Sequence, residues 1–181
     1  MPDTVHKQPN SRMCFVCGMR NPVGLKAFFY EQPDGSVLAR FTGQEQHQGY
    51  PGRMHGGVIS GVMDETIGRA IMIRLGPGQE VWGVTAELNV RFRRPVPLGV
   101  ELTAVGRITR DTRLLFEGEG ELLLPDGTVA VEARGKYFKL PLDMIADFDA
   151  VREEWRVVPD DCADQGSEGR EQGSDVSDPD H

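Results

Sequence analysis

The residues best suited to chemistry lie in one run from Met54 to Glu65, which joins two consecutive glycines to an acid two turns later. Gly56 and Gly57 stand where a helical apolar pattern begins, and uncovered backbone N–H groups at a helix N-terminus attract developing negative charge. Asp64 lies within the same helix, where a carboxylate can act as a general base or as a nucleophile. The run is typical of a site that stabilises an oxyanion while an acid handles water or attacks.

One long helix, predicted over residues 57–75, must position these groups. At 100° per residue, its apolar residues fall in one arc that should pack on a sheet. The members of this arc are Val58, Ile59, Val62, Met63, Thr66, Ile67, Ala70 and Ile73. The opposite stripe carries one carboxylate among glycines and consists of Gly57, Gly61, Asp64 and Gly68. Such a stripe admits a second helix in a dimer, or a thin ligand arm, and the two explanations are compatible.

The remaining elements are predicted to be strands and one short helix. The predicted strands cover residues 25–30, 37–41, 84–92, 100–109, 113–124 and 128–140, and the short helix covers residues 143–155. Short connections favour antiparallel neighbours, and a single long helix must cover the apolar face of the sheet. We therefore predict an α+β fold in which an antiparallel sheet wraps around one central helix, with a short C-terminal helix added.

Length and charge divide the 181-residue chain into three parts. We predict a flexible N-terminus over residues 1–13, one folded domain over residues 14–155, and a disordered acidic tail over residues 156–181. The tail holds eight acids and two arginines, so it contributes −6 of the formal net charge of −8. Too few large apolar residues occur in it to offset the entropy of ordering. We expect no nucleic-acid partner.

Cysteine usage and hydropathy bear on the compartment. Three cysteines do not suggest a disulfide framework, and no signal-peptide pattern or long apolar stretch is present. We therefore expect a cytoplasmic protein without a membrane span. Cys14 and Cys17 form a CxxC pair, but no second pair completes a zinc set, and only spacing suggests His47 or Cys162 as further ligands. We predict no metal and no cofactor, and we interpret the pair as a turn packed on the core.

The separation of the glycines from Asp64 bears on assembly. Residues seven to eight apart in a helix are roughly 10–12 Å apart along its axis, whereas productive contacts are near 3 Å. Two such helices meeting antiparallel across a twofold axis would bring the amides of one chain to Asp64 of the other. We therefore predict a homodimer with two shared sites, or a homotetramer built from such dimers. Glu65 should instead pair with Arg69 one turn later.

Several motifs together resemble the hotdog-fold acyl-CoA thioesterases of the 4-hydroxybenzoyl-CoA thioesterase superfamily, in the branch that includes the phenylacetate-pathway enzymes. The residues that carry the resemblance are Cys14–Gly18, Asn21–Leu25, His47–Gly52, His55-Gly56-Gly57 with Asp64 nine positions after the His, and Thr85–Val90. The resemblance covers residues 14–140. It implies an enzyme that hydrolyses an acyl-CoA thioester to a free acid and coenzyme A.

The resemblance also implies roles for single residues. The Gly56 amide would polarise the thioester carbonyl, Asp64 would be the general base or nucleophile, and Thr85 would position water or the carboxylate. Some relatives place an amide or acid side chain six residues before the His, where this chain has Gly49 and, one position further away, Gln48. The group that positions the water therefore stays open.

Three further candidates carry alternatives. His55 is included with the catalytic residues, but we favour fixing of the loop over proton transfer. Gly57 belongs with the substrate-binding groups at the helix start. Arg91 and Arg93 could bind the phosphates of coenzyme A, although solvated residues on an exposed strand face would look the same.

Two other functions fit parts of the pattern. The first alternative is a hotdog module that binds acyl-CoA without turning it over. The second is a hotdog enoyl-CoA hydratase or dehydratase, whose chemistry requires an acid and a histidine acting across a carbon–carbon double bond.

Overall fold

The computed structural model describes residues 6–75 and 81–160. Its regular elements are the strands β1 (His6–Lys7), β2 (Phe28–Glu31), β3 (Val37–Thr42), β4 (Val81–Phe92), β5 (Glu101–Asp111), β6 (Leu115–Leu123) and β7 (Val129–Pro141), and the helix α1 (Gly56–Leu75). Two three-residue 3-10 helices, Glu45–His47 and Leu142–Met144, complete the set.

The strands form one antiparallel sheet in the order β1-β2-β3-β5-β6-β7-β4. Helix α1 contacts every strand of the sheet from β2 to the edge strand β4 and lies over one face of it. The helix arc predicted to face the sheet is buried at Ile59, Val62, Met63 and Ile67. The predicted sheet wrapped around a central helix is confirmed.

Glycines in the sheet allow α1 to lie close to it. A Cβ atom at Gly106 would be 2.7 Å from the Thr66 carbonyl oxygen of the helix. A Cβ atom at Gly118 would be 2.5 Å from the Ile67 side chain. Because these distances are far below van der Waals contact, a larger residue at either position would push the helix away from the sheet.

A β-bulge between Thr85 and Glu87 interrupts the pairing of β4 with β7. An extra residue in a strand reverses which side chains face each side of the sheet. Thr85 consequently points toward the helix, where it contacts Asp64. Beyond the bulge Phe92 faces the helix and lies beside Gly56. The apolar–polar alternation of the sequence over residues 84–92 matches the two sides of the sheet only after the bulge.

The predicted short helix over residues 143–155 is wrong. In its place the chain forms a 3-10 turn at Leu142–Met144, followed by irregular structure and turns. The Asp149 carboxylate accepts hydrogen bonds from the amides of Val151 and Arg152, which closes a local turn. Glu154 has φ of 50°, a left-handed conformation that a right-handed helix cannot contain.

The segments at the two ends of the described chain pair with each other. The amide of Asn10 donates to the Arg156 carbonyl at 2.9 Å, and the amide of Arg12 donates to the Glu153 carbonyl at 2.7 Å. Asn10 is fully buried, and its side chain donates to the carbonyls of Cys17 and Ala27. Residues 6–13, which belong to the segment predicted to be flexible, are thus packed against the folded domain.

Some predictions fall outside the described residues. These are the predictions for residues 161–181 of the acidic tail, a stretch that includes Cys162. Within the described ranges, no helix combines the length and the apolar content needed to cross a membrane.

Candidate active site

Asp64 and Thr85 face each other across the gap between α1 and β4. The Thr85 hydroxyl lies 2.9 Å from Asp64 Oδ1 and 3.0 Å from Oδ2, and it donates its proton to the carboxylate. The Tyr137 hydroxyl donates a hydrogen bond to the backbone carbonyl oxygen of Asp64 at 3.1 Å and so holds the helix backbone at this residue. These contacts fix the carboxylate at one orientation.

The surroundings of Asp64 raise the pKa of its carboxyl group. Partial burial raises its pKa above the ordinary value of 3.8, and the Thr85 hydrogen bond opposes this by stabilising the carboxylate. Burial also raises the pKa of Tyr137, so its hydroxyl stays protonated and can only donate to Asp64. A carboxylate with a raised pKa is a stronger base than an exposed one, which suits removal of a proton from water.

Of the two glycine amides at the start of α1, one has an acceptor and the other has none within the described residues. His55 Nδ1 accepts a hydrogen bond from the Gly57 amide at 2.9 Å, so this imidazole serves as the N-cap of α1. Among residues 6–75 and 81–160 the Gly56 amide finds no hydrogen-bond acceptor. The exposed ring of Phe92 lies beside Gly56. Gly56 therefore offers the amide that a bound oxygen could use, and Gly57 does not.

Within one chain the two halves of the site are apart. Gly56 and Asp64 are separated by eight residues of the same helix, which is about 12 Å along its axis. One carbonyl group cannot contact both. A site that uses the Gly56 amide and the Asp64 carboxylate together needs a second copy of the chain.

A cleft of about 510 Å³ opens beside Asp64 and Thr85. Three aromatic rings close one side: Trp82 of β4 lies 4.9 Å from Trp155 and 6.0 Å from Phe148, measured between ring centroids. We call these three rings the aromatic cover. Residues 146–155 supply two of them and cover the cleft, a role that the prediction of a helix over residues 143–155 did not include. The apolar residues Ile71 and Met72 also line the cleft, which suits an apolar acyl group.

The other predicted substrate-binding residues lie away from this cleft. Gln48 is exposed, and its side-chain oxygen accepts a hydrogen bond from the Gly52 amide at 3.0 Å. Arg93 forms an ion pair with Glu132 at 3.0 Å. Arg91 is exposed on the outer face of the sheet, near Arg134.

Tyr137 and the aromatic cover are functional candidates that the sequence did not single out. Tyr137 is 1% exposed and stacks on Phe116 with ring centroids 4.8 Å apart. The signal was available in the strand pattern, since a tyrosine at a core-facing position needs a partner for its hydroxyl. The position of Trp155 depends on irregular backbone, which periodicity does not reveal.

One cluster beside the cleft could hold a metal. A ligand atom from each of Cys14, Cys17 and Glu65 lies within 4.8 Å of the others. His47 is not available to it, because its Nδ1 accepts from the Gln44 amide and its Nε2 lies 2.9 Å from the Val23 carbonyl.

Comparison with known proteins decides the family resemblance. Residues 51–131, which include the helix start, Asp64 and Thr85, match the model of the Thioesterase superfamily. The chain has the hotdog fold. The resemblance predicted from the sequence motifs is confirmed, and the hotdog domain described above contains the matched region.

Individual proteins agree with this assignment. The mouse (Mus musculus) acyl-coenzyme A thioesterase THEM4 is 28% identical over 115 residues, which cover 63% of this chain and 47% of the mouse protein. This chain therefore spans about half the length of that relative.

Solved structures give the same result. The thioesterase superfamily protein RHA08564 is 31% identical, with a TM-score of 0.62 over 70% of this chain and 63% of its own. The E. coli PaaI protein from the phenylacetic acid degradation operon shares the fold at 20% identity, with a TM-score of 0.52 over 59% of this chain and 73% of its own.

Proposed function

We propose that this hotdog domain hydrolyses an acyl-CoA thioester to a free carboxylic acid and coenzyme A. The observation that carries the proposal is the Asp64 carboxylate, held by the Thr85 hydroxyl in the wall of an apolar cleft. The name of the mouse relative, an acyl-coenzyme A thioesterase, supports the choice of thioester.

The reaction follows from the two halves of the site. The Gly56 amide donates to the thioester oxygen and stabilises the negative charge that forms there. Asp64 takes a proton from water as the water oxygen bonds to the carbonyl carbon. The tetrahedral intermediate then collapses, its carbon–sulfur bond breaks, and the departing coenzyme A sulfur takes up the proton. Direct attack by Asp64 would form an acyl-enzyme anhydride that water must then hydrolyse.

We propose a homodimer with two shared sites as the active form. Strand β4 is an edge of the sheet, and each of its twelve residues is exposed or half-buried. A long edge strand exposes unpaired backbone groups that favour pairing with another strand. Pairing of two β4 strands across a twofold axis would place Gly56 of one chain toward Asp64 of its partner. A tetramer of two such dimers is compatible with this arrangement.

The arginines of β4 belong to the proposed coenzyme A contacts. Arg91 is exposed near the end of the strand that carries Thr85, and a guanidinium is well suited to phosphate oxygens. Arg93 would have to exchange its pairing with Glu132 for a phosphate. We propose the cytoplasm as the compartment, in keeping with Cys14 and Cys17, which are reduced and form no disulfide.

The first test is release of free thiol from a panel of aromatic, short-chain and long-chain acyl-CoA esters. The wild type should turn over at least one ester continuously. Asp64→Asn should lose about 10²–10⁴ in rate, as expected for a lost base or nucleophile. The matched control Asp143→Asn changes an exposed acid and should keep full activity. Binding of acyl-CoA without thiol release would instead identify a non-catalytic module.

The second test addresses the shared site. Gly56→Pro removes the amide at the first helical position, where proline is well tolerated, so the helix should persist. Each of the variants Asp64→Asn and Gly56→Pro should be nearly inactive alone. After unfolding and refolding of an equimolar mixture, half of the dimers are mixed and each holds one intact shared site, so about a quarter of wild-type activity should return. No recovery in mixed dimers would contradict the shared site.

A further inference from the structure

Cys14, Cys17 and Glu65 form a cluster in the cleft wall that the proposed hydrolysis does not use. Two sulfur atoms and a carboxylate oxygen, all within 4.8 Å of one another, form a donor set that zinc accepts in tetrahedral sites. Cys17 is 1% exposed and Cys14 is half-buried at the edge of the cleft. The CxxC motif indicates two ligands from the sequence alone, and the folded chain brings a third, Glu65 of helix α1, next to them.

The turn that carries the two cysteines is shaped around the Cys14 sulfur. Cys14 Sγ accepts hydrogen bonds from the amides of Val16 and Cys17, both at 3.3 Å. The turn closes so tightly that a Cβ atom at Gly18 would lie 2.3 Å from the Cys14 carbonyl oxygen. Amide donors aimed at a sulfur stabilise the negative charge that this sulfur carries once it is bound to a metal. The Ser11 hydroxyl lies 3.6 Å from Cys17 Sγ and can support the second sulfur.

Glu65 is oriented so that only one of its oxygens faces the sulfurs. Arg69 donates to Glu65 Oε1 from Nε at 2.9 Å and from Nη2 at 2.8 Å, while Oε2 lies 3.1 Å from Cys14 Sγ. Arg69 is itself buried and anchored by a bond from Nη1 to the Pro9 carbonyl at 2.9 Å. A buried partner that fixes a ligand carboxylate is the usual outer support of a metal site.

The charges of the cluster balance with a divalent metal. Two thiolates and one carboxylate carry −3, and Arg69 together with a divalent cation carries +3. A buried site with no net charge avoids the large desolvation cost of an unpaired ion.

We propose that Cys14, Cys17 and Glu65 bind one Zn²⁺ ion, with the fourth coordination position open to the cleft and taken by water. Binding forms two zinc–sulfur bonds and one zinc–oxygen bond, and the two thiol protons are released to solvent. The ion links the N-terminal segment to α1 at the residue next to Asp64.

The test uses the full chain, purified under reducing conditions from zinc-supplemented culture and dialysed. Elemental analysis should find about one zinc per chain in the wild type. The double variant Cys14→Ser/Cys17→Ser should hold less than about a tenth of that. The matched control Cys162→Ser removes the third cysteine and should keep its zinc. Cobalt loaded in place of zinc should give sulfur-to-cobalt charge-transfer and tetrahedral d–d bands in the wild type and not in the double variant.

Three results would overturn the proposal: wild-type protein without zinc, a double variant that retains it, or a Cys14–Cys17 disulfide in a second preparation purified without reductant. Near-ultraviolet circular dichroism should show that the double variant is folded. If it is not, Glu65→Ala with intact cysteines gives the decisive cobalt spectrum, in which the charge-transfer bands persist but the tetrahedral d–d pattern changes. An unchanged spectrum would exclude Glu65 as a ligand. None of these measurements depends on thioester hydrolysis.

Discussion

The Thr85 hydroxyl reaches both oxygens of the Asp64 carboxylate, at 2.9 and 3.0 Å, because a β-bulge turns Thr85 toward the helix. Without the bulge, Thr85 would share the outward side of β4 with Glu87. The bulge therefore completes the environment of the acid, and strands often carry such irregularities next to functional sites.

Thr85→Val should weaken hydrolysis without removing the base. We expect kcat to fall by about 10–10² through loss of orientation, with KM changing less. Because the hydrogen bond from Thr85 lowers the pKa of Asp64, its loss should move the acidic limb of the pH–rate profile to higher pH. Measurement of kcat and KM across pH checks both. Thr85→Ser, which keeps the hydroxyl, should restore the wild-type limb, and an unchanged limb in Thr85→Val would contradict the role.

Asp64→Asn should raise thermal stability at neutral pH. The pKa of Asp64 is higher in the folded protein than in the unfolded chain, so ionisation opposes folding above that pKa. Removing the charge removes this cost, and the advantage should shrink as pH falls through the folded pKa toward the unfolded value. Melting temperatures of both proteins from mildly acidic to neutral pH give the comparison. A lower melting temperature for the variant at neutral pH would contradict the conclusion that burial disfavours the ionised carboxylate.

Glu65→Gln should destabilise the fold by about 3 kcal/mol, because it leaves Arg69 buried without its ionic partner. The side chains of Arg69 and Glu65 are 6% and 20% exposed. Urea denaturation in the presence of a chelator measures this separately from any metal. Glu101→Gln breaks the exposed pair with Arg40 and should cost less than about 1 kcal/mol. Equal losses in the two variants would show that burial is not decisive.

Gly106→Ala should cost about 2–3 kcal/mol, since its Cβ atom would be 2.7 Å from backbone oxygen of Thr66, which cannot rotate away. Gly61→Ala is the matched control, because its Cβ atom would meet only the Val16 side chain at 3.8 Å. Alanine should stabilise that helical position by about 1 kcal/mol. Urea denaturation of both variants measures the free energies of unfolding. An unchanged free energy of unfolding for Gly106→Ala would mean that the helix can move away from the sheet at little cost.

Trp155→Ala should widen the cleft by removing a ring that packs on Trp82. We expect kcat/KM for bulky acyl groups to rise about 3- to 10-fold relative to short ones, since pocket fit contributes only modest discrimination. Thiol-release rates on paired substrates supply the ratio. Val151→Ala changes a side chain that is 88% exposed and should leave the ratio unchanged. An equal ratio in the two variants would show that Trp155 does not limit the size of the acyl group.

The sequence predicted the sheet, the central helix and the Glu65–Arg69 pair, because each depends on periodicity or on spacing along one element. The bulge at Thr85 was not predicted. Apolar and polar residues alternate without interruption in the sequence of this strand, so the sequence pattern does not reveal the extra residue. The failed helix over residues 143–155 had helical spacing, but the Asp149 turn and the left-handed Glu154 redirected the chain. The third ligand of the cysteine cluster required a contact between distant segments, which spacing cannot reveal.

The pairing of Asn10 with Arg156 has a practical consequence for handling this protein. Arg12 pairs with Glu153 and Asn10 pairs with Arg156, on either side of Trp155, so a tag or label inserted into either segment would disturb the aromatic rings that line the cleft. The hairpin tip at Asp126-Gly127 does not line the cleft. A surface tip of this kind tolerates insertion well and offers a better anchor for a probe or a solid support.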